Sequence, residues 1–180
     1  MIFNETSIPG AFEITFQKFE DNRGAFVKTW NEKLFLDAGI SFHSLESFYS
    51  ISGKHVLRGM HFQIPPYQHA KLVHCPVGAI LDVLLDLRTD SPAYGSFVAV
   101  ELSEKNNKAL LIPEGCAHGF LSLTENAMTV YQVSSIHYPP ADQGILWNSF
   151  GMDWPAVAPV VSPRDSAFPE FNKFRSMFTL

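Results

Sequence analysis

Apolar residues along this chain recur mostly at every second position, the spacing of a strand with one buried face. Between Gly10 and Phe19, the residues Phe12, Ile14 and Phe16 alternate with their neighbours. Ala79–Leu87 predicts a long strand, and Phe97–Leu102, Ala109–Ile112 and Met128–Val133 predict three more. Turn-forming residues separate these runs, at Pro76–Gly78, Ser91-Pro92, Asn106-Asn107, Pro113–Gly115 and Glu125-Asn126. Many short strands punctuated about every ten residues predict an all-β sandwich or barrel. One helix is expected over Asn31–Gly39, opened by a capping asparagine and closed by a glycine. At about two turns it is a connector rather than a framework. From Pro139 onward, prolines at 139, 140, 155, 159, 163 and 169 predict a mostly irregular segment with short helical turns. The 180 residues are expected to form one domain, 1–180, with 139–180 packed on the barrel.

Composition narrows the function classes. Thirteen Lys plus Arg against eighteen Asp plus Glu leave a net charge of −5. That balance lacks the basic footprint that nucleic acid or an anionic membrane surface requires, although a few converging cations can still hold a small anion. Sixteen phenylalanines point to a phenylalanine-rich β core, and a charged fraction of only 17% points to surface covered by a partner. Cys75 and Cys116 make neither a disulfide framework nor a C-x-x-C zinc pair. No apolar run approaches the ~18 residues of a membrane helix. The opening stretch has neither the basic start nor the apolar core of a secretory signal. A cytoplasmic location is the expectation.

Three polar groups do not belong to a plain core. In Arg58-Gly-Met-His-Phe-Gln63, His61 and Gln63 share one face of a strand, and a barrel lumen lined in this way is a natural small-molecule pocket. His69, Lys71 and His74 follow in a strand-like run, with Lys71 and Val73 on one face and Leu72 and His74 on the other. His118 comes after the turn Pro113–Gly115. Gly59 and Gly119 suit a close backbone approach or an ordinary bulge. A lone histidine on an apolar face is more often a satisfied structural group, and His43, His55 and His74 are read in that way. A barrel metal site needs a fuller ligand set: Gln63 stands where a second histidine would be required, and the next carboxylate is Asp82. No metal is expected.

An ordered set of motifs resembles the dTDP-4-dehydrorhamnose 3,5-epimerase family. It comprises Asp21-Asn-Arg-Gly-x-Phe26, Val56-Leu-Arg-Gly-Met-His-Phe-Gln63, Lys71-Leu-Val73, Asp82-Val and Asp86-Leu-Arg88. Ser91-Pro-x-Tyr-Gly95, Ile112-Pro-Glu-Gly-x-Ala-His-Gly-Phe120 and Gly144-Ile-x-Trp-Asn148 complete it. The resemblance implies an all-β, cupin-type double-stranded β-helix or jelly-roll barrel with short peripheral helices. It also implies a homodimer, no cofactor and no metal, and a nucleotide-diphosphate 4-keto-6-deoxy sugar as substrate. His61 matches the family's base and Asp165 the aspartate that orients it. Lys71 matches the lysine near the ketone, and Tyr131 the tyrosine that returns a proton. Arg23 and Arg58 match pyrophosphate contacts, with His118 close by; Phe26, Lys28, Glu46 and Gln63 complete the expected substrate-binding set, and Phe26 is expected near the dimer joint. The chemistry suits these residue types. A hydrogen beside a ketone is acidic, a neutral imidazole is a suitable base near pH 7, and an ammonium stabilises the enolate.

The chain departs from the family at the nucleotide end. There Glu46 and Phe48 stand where the family has Gln-x-Asn, and Lys28 where it has Glu; apart from these, His69 stands where the family has Gln, two residues before Lys71. A Lys and a Glu at the base end have the polarity cytosine asks for. The open alternatives are therefore a C3- or C5-only epimerase of a CDP-linked or other nucleotide 4-keto sugar, a ketoisomerase of the same fold, and a non-enzymatic sugar-binding cupin module.

Overall fold

The computed structural model describes residues 1–156 and 158–180. Its strands, in chain order, begin with β1 (Ile2–Glu5), β2 (Phe12–Thr15), β3 (Lys18–Asp21), β4 (Gly24–Val27) and β5 (Glu46–Ser52). They continue with β6 (Val56–Gln63), β7 (Lys71–Val77), β8 (Ala79–Asp86), β9 (Phe97–Ser103) and β10 (Lys108–Ile112). The last are β11 (Cys116–Ser122), β12 (Ala127–Val133), β13 (Asp142–Gly144) and β14 (Val160–Val161). The longer helix, α1 (Glu32–Asp37), starts where Asn31 caps the Leu34 N–H; the shorter, α2 (Pro163–Ser166), is capped by Ser162.

The strands form two sheets that face each other, the cupin-like jelly roll expected of the sequence. One sheet runs β1-β2-β10-β7-β12-β5 and the other β13-β6-β11-β8-β9, while β3 and β4 make a separate hairpin. The expected strand from Gly10 to Phe19 divides between β2 and β3. The C-terminal segment, expected to be mostly irregular, contributes β13, antiparallel to β6, and β14, parallel to it.

Both faces of the central strands are covered, which explains why β8 and β11 read as near-continuous apolar runs. Between the sheets lie Val73, Leu84, Leu102, Leu110 and Phe120. Behind the first sheet, α1 and its flanks bury Phe35, Ile40 and Phe42 against Leu72 and Leu111. Behind the second, the C-terminal segment packs Ile145, Phe150, Phe174 and Phe178 on Met60, Phe62, Val83 and Leu85. A side chain such as Phe120, fully enclosed, contributes roughly 1.5–3 kcal/mol by leaving water.

One irregularity positions the site. Between β6 and β11 the register steps from His61↔His118 to Arg58↔Phe120, so Gly59 and Met60 together face Gly119 alone. This is a β-bulge. Gly59 has φ +143°, and a Cβ there would lie 2.5 Å from Gly119 Cα and 3.1 Å from the His118 carbonyl oxygen. Both glycines are thus required by contact between two backbones. The variant Gly59→Ala should lose about 3 kcal/mol of stability in urea denaturation, from strain and overpacking together. A loss below ~1 kcal/mol would mean the bulge relaxes easily.

Candidate active site

The bulge changes which side chains share a face. In a regular strand Arg58 and His61, three apart, would point to opposite sides. Here both line one cavity of about 260 Å³ between the sheets. β7 contributes Lys71, β11 contributes His118 and β12 contributes Tyr131 to the same cavity. His61 and Arg58 thus stand on one sheet, and Lys71 and Tyr131 on the other.

Asp165 approaches His61 from behind. Pairing of β14 with Val56 and Leu57 of β6 delivers α2 beside the bulge. His61 Nε2 and Asp165 Oδ1 are 2.9 Å apart, and Asp165 Oδ2 accepts the Gly59 N–H at 3.0 Å. Burial alone would raise the Asp165 carboxyl. The hydrogen bond and charge of His61, with the Gly59 N–H and Ser162, outweigh it and hold the group below the usual carboxylate range. A carboxylate only accepts, so Nε2 carries a proton toward it, and Nδ1 of a neutral ring keeps its lone pair.

On the facing sheet, Lys71 is 7% exposed and donates to the His61 carbonyl at 3.2 Å. Burial pushes its ammonium down to about 8, against the charges of Asp142 and Asp82. The Tyr131 hydroxyl is pushed well up by burial and so holds its proton, with Ser50 Oγ 3.5 Å away. The Phe48 ring stacks on Tyr131 at 4.7 Å between centroids. His118 Nε2 pairs with Asp82 Oδ1 at 2.7 Å, both enclosed. Burial lowers His118, and the Asp82 carboxylate opposes that shift. Arg58, at the exposed mouth, donates through Nε to Ser52 Oγ at 3.1 Å. Among the described residues, no group of three or more His, Cys, Asp or Glu is arranged to hold a metal ion.

The other sequence candidates lie outside this cavity. Gln63 is buried behind it, where its amide binds Tyr67, His69 and Tyr138. Glu46 is on edge strand β5, where its carboxylate accepts the His137 N–H at 2.9 Å. Arg23, Phe26 and Lys28 are exposed, the first two on the β3–β4 hairpin. Arg23 is tied to Asp21 there, and Phe26 is 62% exposed. Sequence reasoning missed the pairing of Asp82 with His118, and the part Ser50 and Asp142 play in lining the cavity. A readable signal exists for Asp82, a lone carboxylate inside the apolar run Ile80–Leu85.

A cupin-like barrel with a His–Asp dyad facing a buried lysine and tyrosine is the site of an isomerase that moves protons. Known proteins identify the family. The family model for dTDP-4-dehydrorhamnose 3,5-epimerase matches residues 5–173. A dTDP-4-dehydrorhamnose 3,5-epimerase from Shigella flexneri is 40% identical over 164 residues, which cover 89% of this chain and 91% of the relative. The crystal structure of the dTDP-6-deoxy-D-glucose-3,5-epimerase of Legionella pneumophila, in complex with dTDP-4-keto-L-rhamnose, has a TM-score of 0.92 at 31% identity. It covers 97% of this chain and 94% of its own. A 3′-monoepimerase from Streptomyces bikiniensis, in complex with dTDP-quinovose, has a TM-score of 0.87 at 31% identity, covering 92% and 85%. The chain belongs to the dTDP-4-dehydrorhamnose 3,5-epimerase family.

If Lys71 must be charged to act, the site's pH response follows from it. Its charge is full well below about 8 and is lost as pH rises through that value. A pH profile of kcat should therefore decline above about 8. Lys71→Arg, whose guanidinium stays charged, should remove that decline from the range below pH 10. A falling limb unchanged in this variant would assign it to another group.

Proposed function

We propose that this chain epimerises a dTDP-linked 4-keto-6-deoxyhexose by removing a proton beside the ketone and returning one to the opposite face. The observation that carries this reading is the placement of His61 and Tyr131 on facing sheets across one cavity that Lys71 also lines. His61 Nδ1 takes the proton from the carbon α to the ketone. The C–H electron pair becomes the enolate double bond, and the carbonyl electrons move to oxygen. Asp165 steadies the imidazolium that forms. The Lys71 ammonium faces the oxygen where charge collects. Tyr131 gives its proton to the carbon from the other side, and exchange with water restores both groups. The names of the relatives support dTDP as the nucleotide and deoxysugar biosynthesis as the setting. Arg58 at the mouth suits the pyrophosphate, since guanidinium groups form paired, charge-assisted bonds to phosphate oxygens. The Glu46 carboxylate, already engaged by His137, supports a rim position rather than base reading.

The working protein is proposed to be a homodimer. Strand β5 is an unpaired edge that exposes Tyr49 and Ile51, at 64% and 53%. The β3–β4 hairpin exposes Phe19 and Phe26 at 52% and 62%, and an isolated hairpin is marginal in water. Covering both with a second copy removes an edge that otherwise invites aggregation. It also gives Arg23, Phe26 and Lys28 a route to the partner's cavity, which they do not reach in their own chain. The reducing cytoplasm is the proposed compartment, in keeping with two buried, unpaired thiols at Cys75 and Cys116. Among the described residues, no helix is long and apolar enough to cross a membrane.

Deuterium uptake from solvent into a dTDP-4-keto-6-deoxyglucose tests the chemistry. Wild-type protein should label the ring carbon or carbons it inverts, and NMR of the product separates epimerisation from carbonyl migration. His61→Asn should slow labelling by about 10²–10⁴-fold, the usual weight of a general base. Tyr131→Phe should keep labelling while net inversion falls. Labelling and inversion both at the wild-type rate in Tyr131→Phe would transfer the acid role to another residue. Light scattering should give twice the 20.2 kDa chain mass at micromolar concentration; a value at the chain mass itself would overturn the dimer.

A further inference from the structure

His69 lines the cavity beside His61, Lys71 and Tyr131. Its Nε2 is enclosed and has no hydrogen-bond partner among the described residues. The tautomer of this ring follows from its neighbours. Gln63 Oε1 accepts the Tyr138 backbone N–H at 2.6 Å, and Gln63 Nε2 donates to the Tyr67 carbonyl at 2.8 Å. A backbone N–H only donates and a carbonyl only accepts, so the orientation of the amide is fixed. Its second hydrogen lies toward His69 Nδ1, 3.0 Å away and closer than the other acceptor in reach, the Ile136 carbonyl at 3.4 Å. Nδ1 must therefore hold a lone pair, and the neutral ring carries its proton on Nε2. A proton on Nδ1 as well would set two donors against each other. Burial, then the charges of Lys71, His118 and His137, push His69 down to about 3. The ring is thus a neutral donor, and an enclosed donor without an acceptor is costly to a fold.

We propose that His69 is a further catalytic residue whose neutral Nε2–H donates to the substrate's ketone oxygen, beside the Lys71 ammonium, as negative charge gathers there. The proposal rests on the reading that Lys71 addresses the ketone. No proton leaves His69 in this role; the hydrogen bond shortens as the carbonyl electrons move to oxygen. A neutral imidazole with a depressed pKa is suited to polarising a carbonyl in an isomerase, because it strengthens with the charge and does not compete with the adjacent cation. His69, just before β7, and Lys71, its first residue, both line the cavity and form a pair of unlike donors for one developing oxyanion.

The test compares His69→Phe, which keeps a ring and removes the donor, with His69→Gln, which retains an N–H. In the deuterium-uptake assay, His69→Phe should lower kcat by about 10²–10³-fold, the weight of one oxyanion donor, with KM changed less than about threefold. His69→Gln should recover at least about tenfold of that loss. A kcat for His69→Phe within about twofold of wild type, or a loss confined to KM, overturns the proposal. His61→Asn in the same assay keeps the two readings apart. If it abolishes uptake while His69→Phe does not change it, only the role of His69 falls; if uptake survives both, the site reading falls as well. Should the phenylalanine variant fail to fold, ¹⁵N NMR of the wild-type imidazoles decides. A neutral Nε2–H tautomer from pH 5 to 9 is expected, and an Nδ1–H tautomer or titration in that range overturns the proposal.

Discussion

At Gly59 and Gly119 two backbones meet with no room for a side chain between them. That contact lets β6 carry one more residue than β11 across the same span, and the extra residue turns the strand. Without it, Arg58 and His61 would face opposite sides of the sheet. With it, both face the cavity, and Gly59 also offers its N–H to the carboxylate behind His61. One steric constraint therefore sets the register of the second sheet, the aim of the base and part of the solvation of its partner.

The carboxylates buried inside this apolar shell are stable because each has a cationic or imidazole partner. Asp82 is paired with His118 and Asp165 with His61. Asp86 accepts from Arg88 through two side-chain contacts at 2.8 Å and from Ser91 at 2.6 Å. Removing one partner of such a set leaves a buried charge alone, which is far worse than never having built the pair. The Asp86–Arg88 pair also fastens both ends of the chain. Arg88 donates to the Pro9 carbonyl at 3.0 Å, while Ser176 binds the Leu87 carbonyl and Phe178 bridges to Arg88. The segment that supplies Asp165 is held on the barrel at its far end by a group that touches no substrate.

Much of this was legible in the residues, for identifiable reasons. Strands β8, β9, β10 and β12 showed in their spacing because long apolar runs ended at residues suited to tight turns. Asn107 and Asn126 do adopt the left-handed conformation, φ 51° and 55°, that such turns require. The helix was legible from Asn31, which caps it. Strand β5 was not, because its exposed edge mixes Phe48, Tyr49 and Ile51 with serines and gives no clean alternation. Strands β13 and β14 are too short to carry a period, and they exist because β6 offers free backbone to pair with. In the site, His61 and Lys71 were readable from face and composition. The sharing of one face by Arg58 and His61 was not, because a bulge is a property of two strands together. The proximity of Asp165 to His61 came from resemblance, since no local pattern links residues so distant.

That distance has a consequence for how the enzyme comes into being. The nitrogen and oxygen of the dyad lie 104 residues apart along the chain. At a synthesis rate of about 5–20 residues per second, His61 is made roughly 5–20 s before its carboxylate exists. The two sheets can close in that interval, since every strand of the first sheet precedes residue 134. The base stays unassisted until β14 docks beside β6 and brings α2 with it. The dyad is thus complete only once the C-terminal strap has been made and seated.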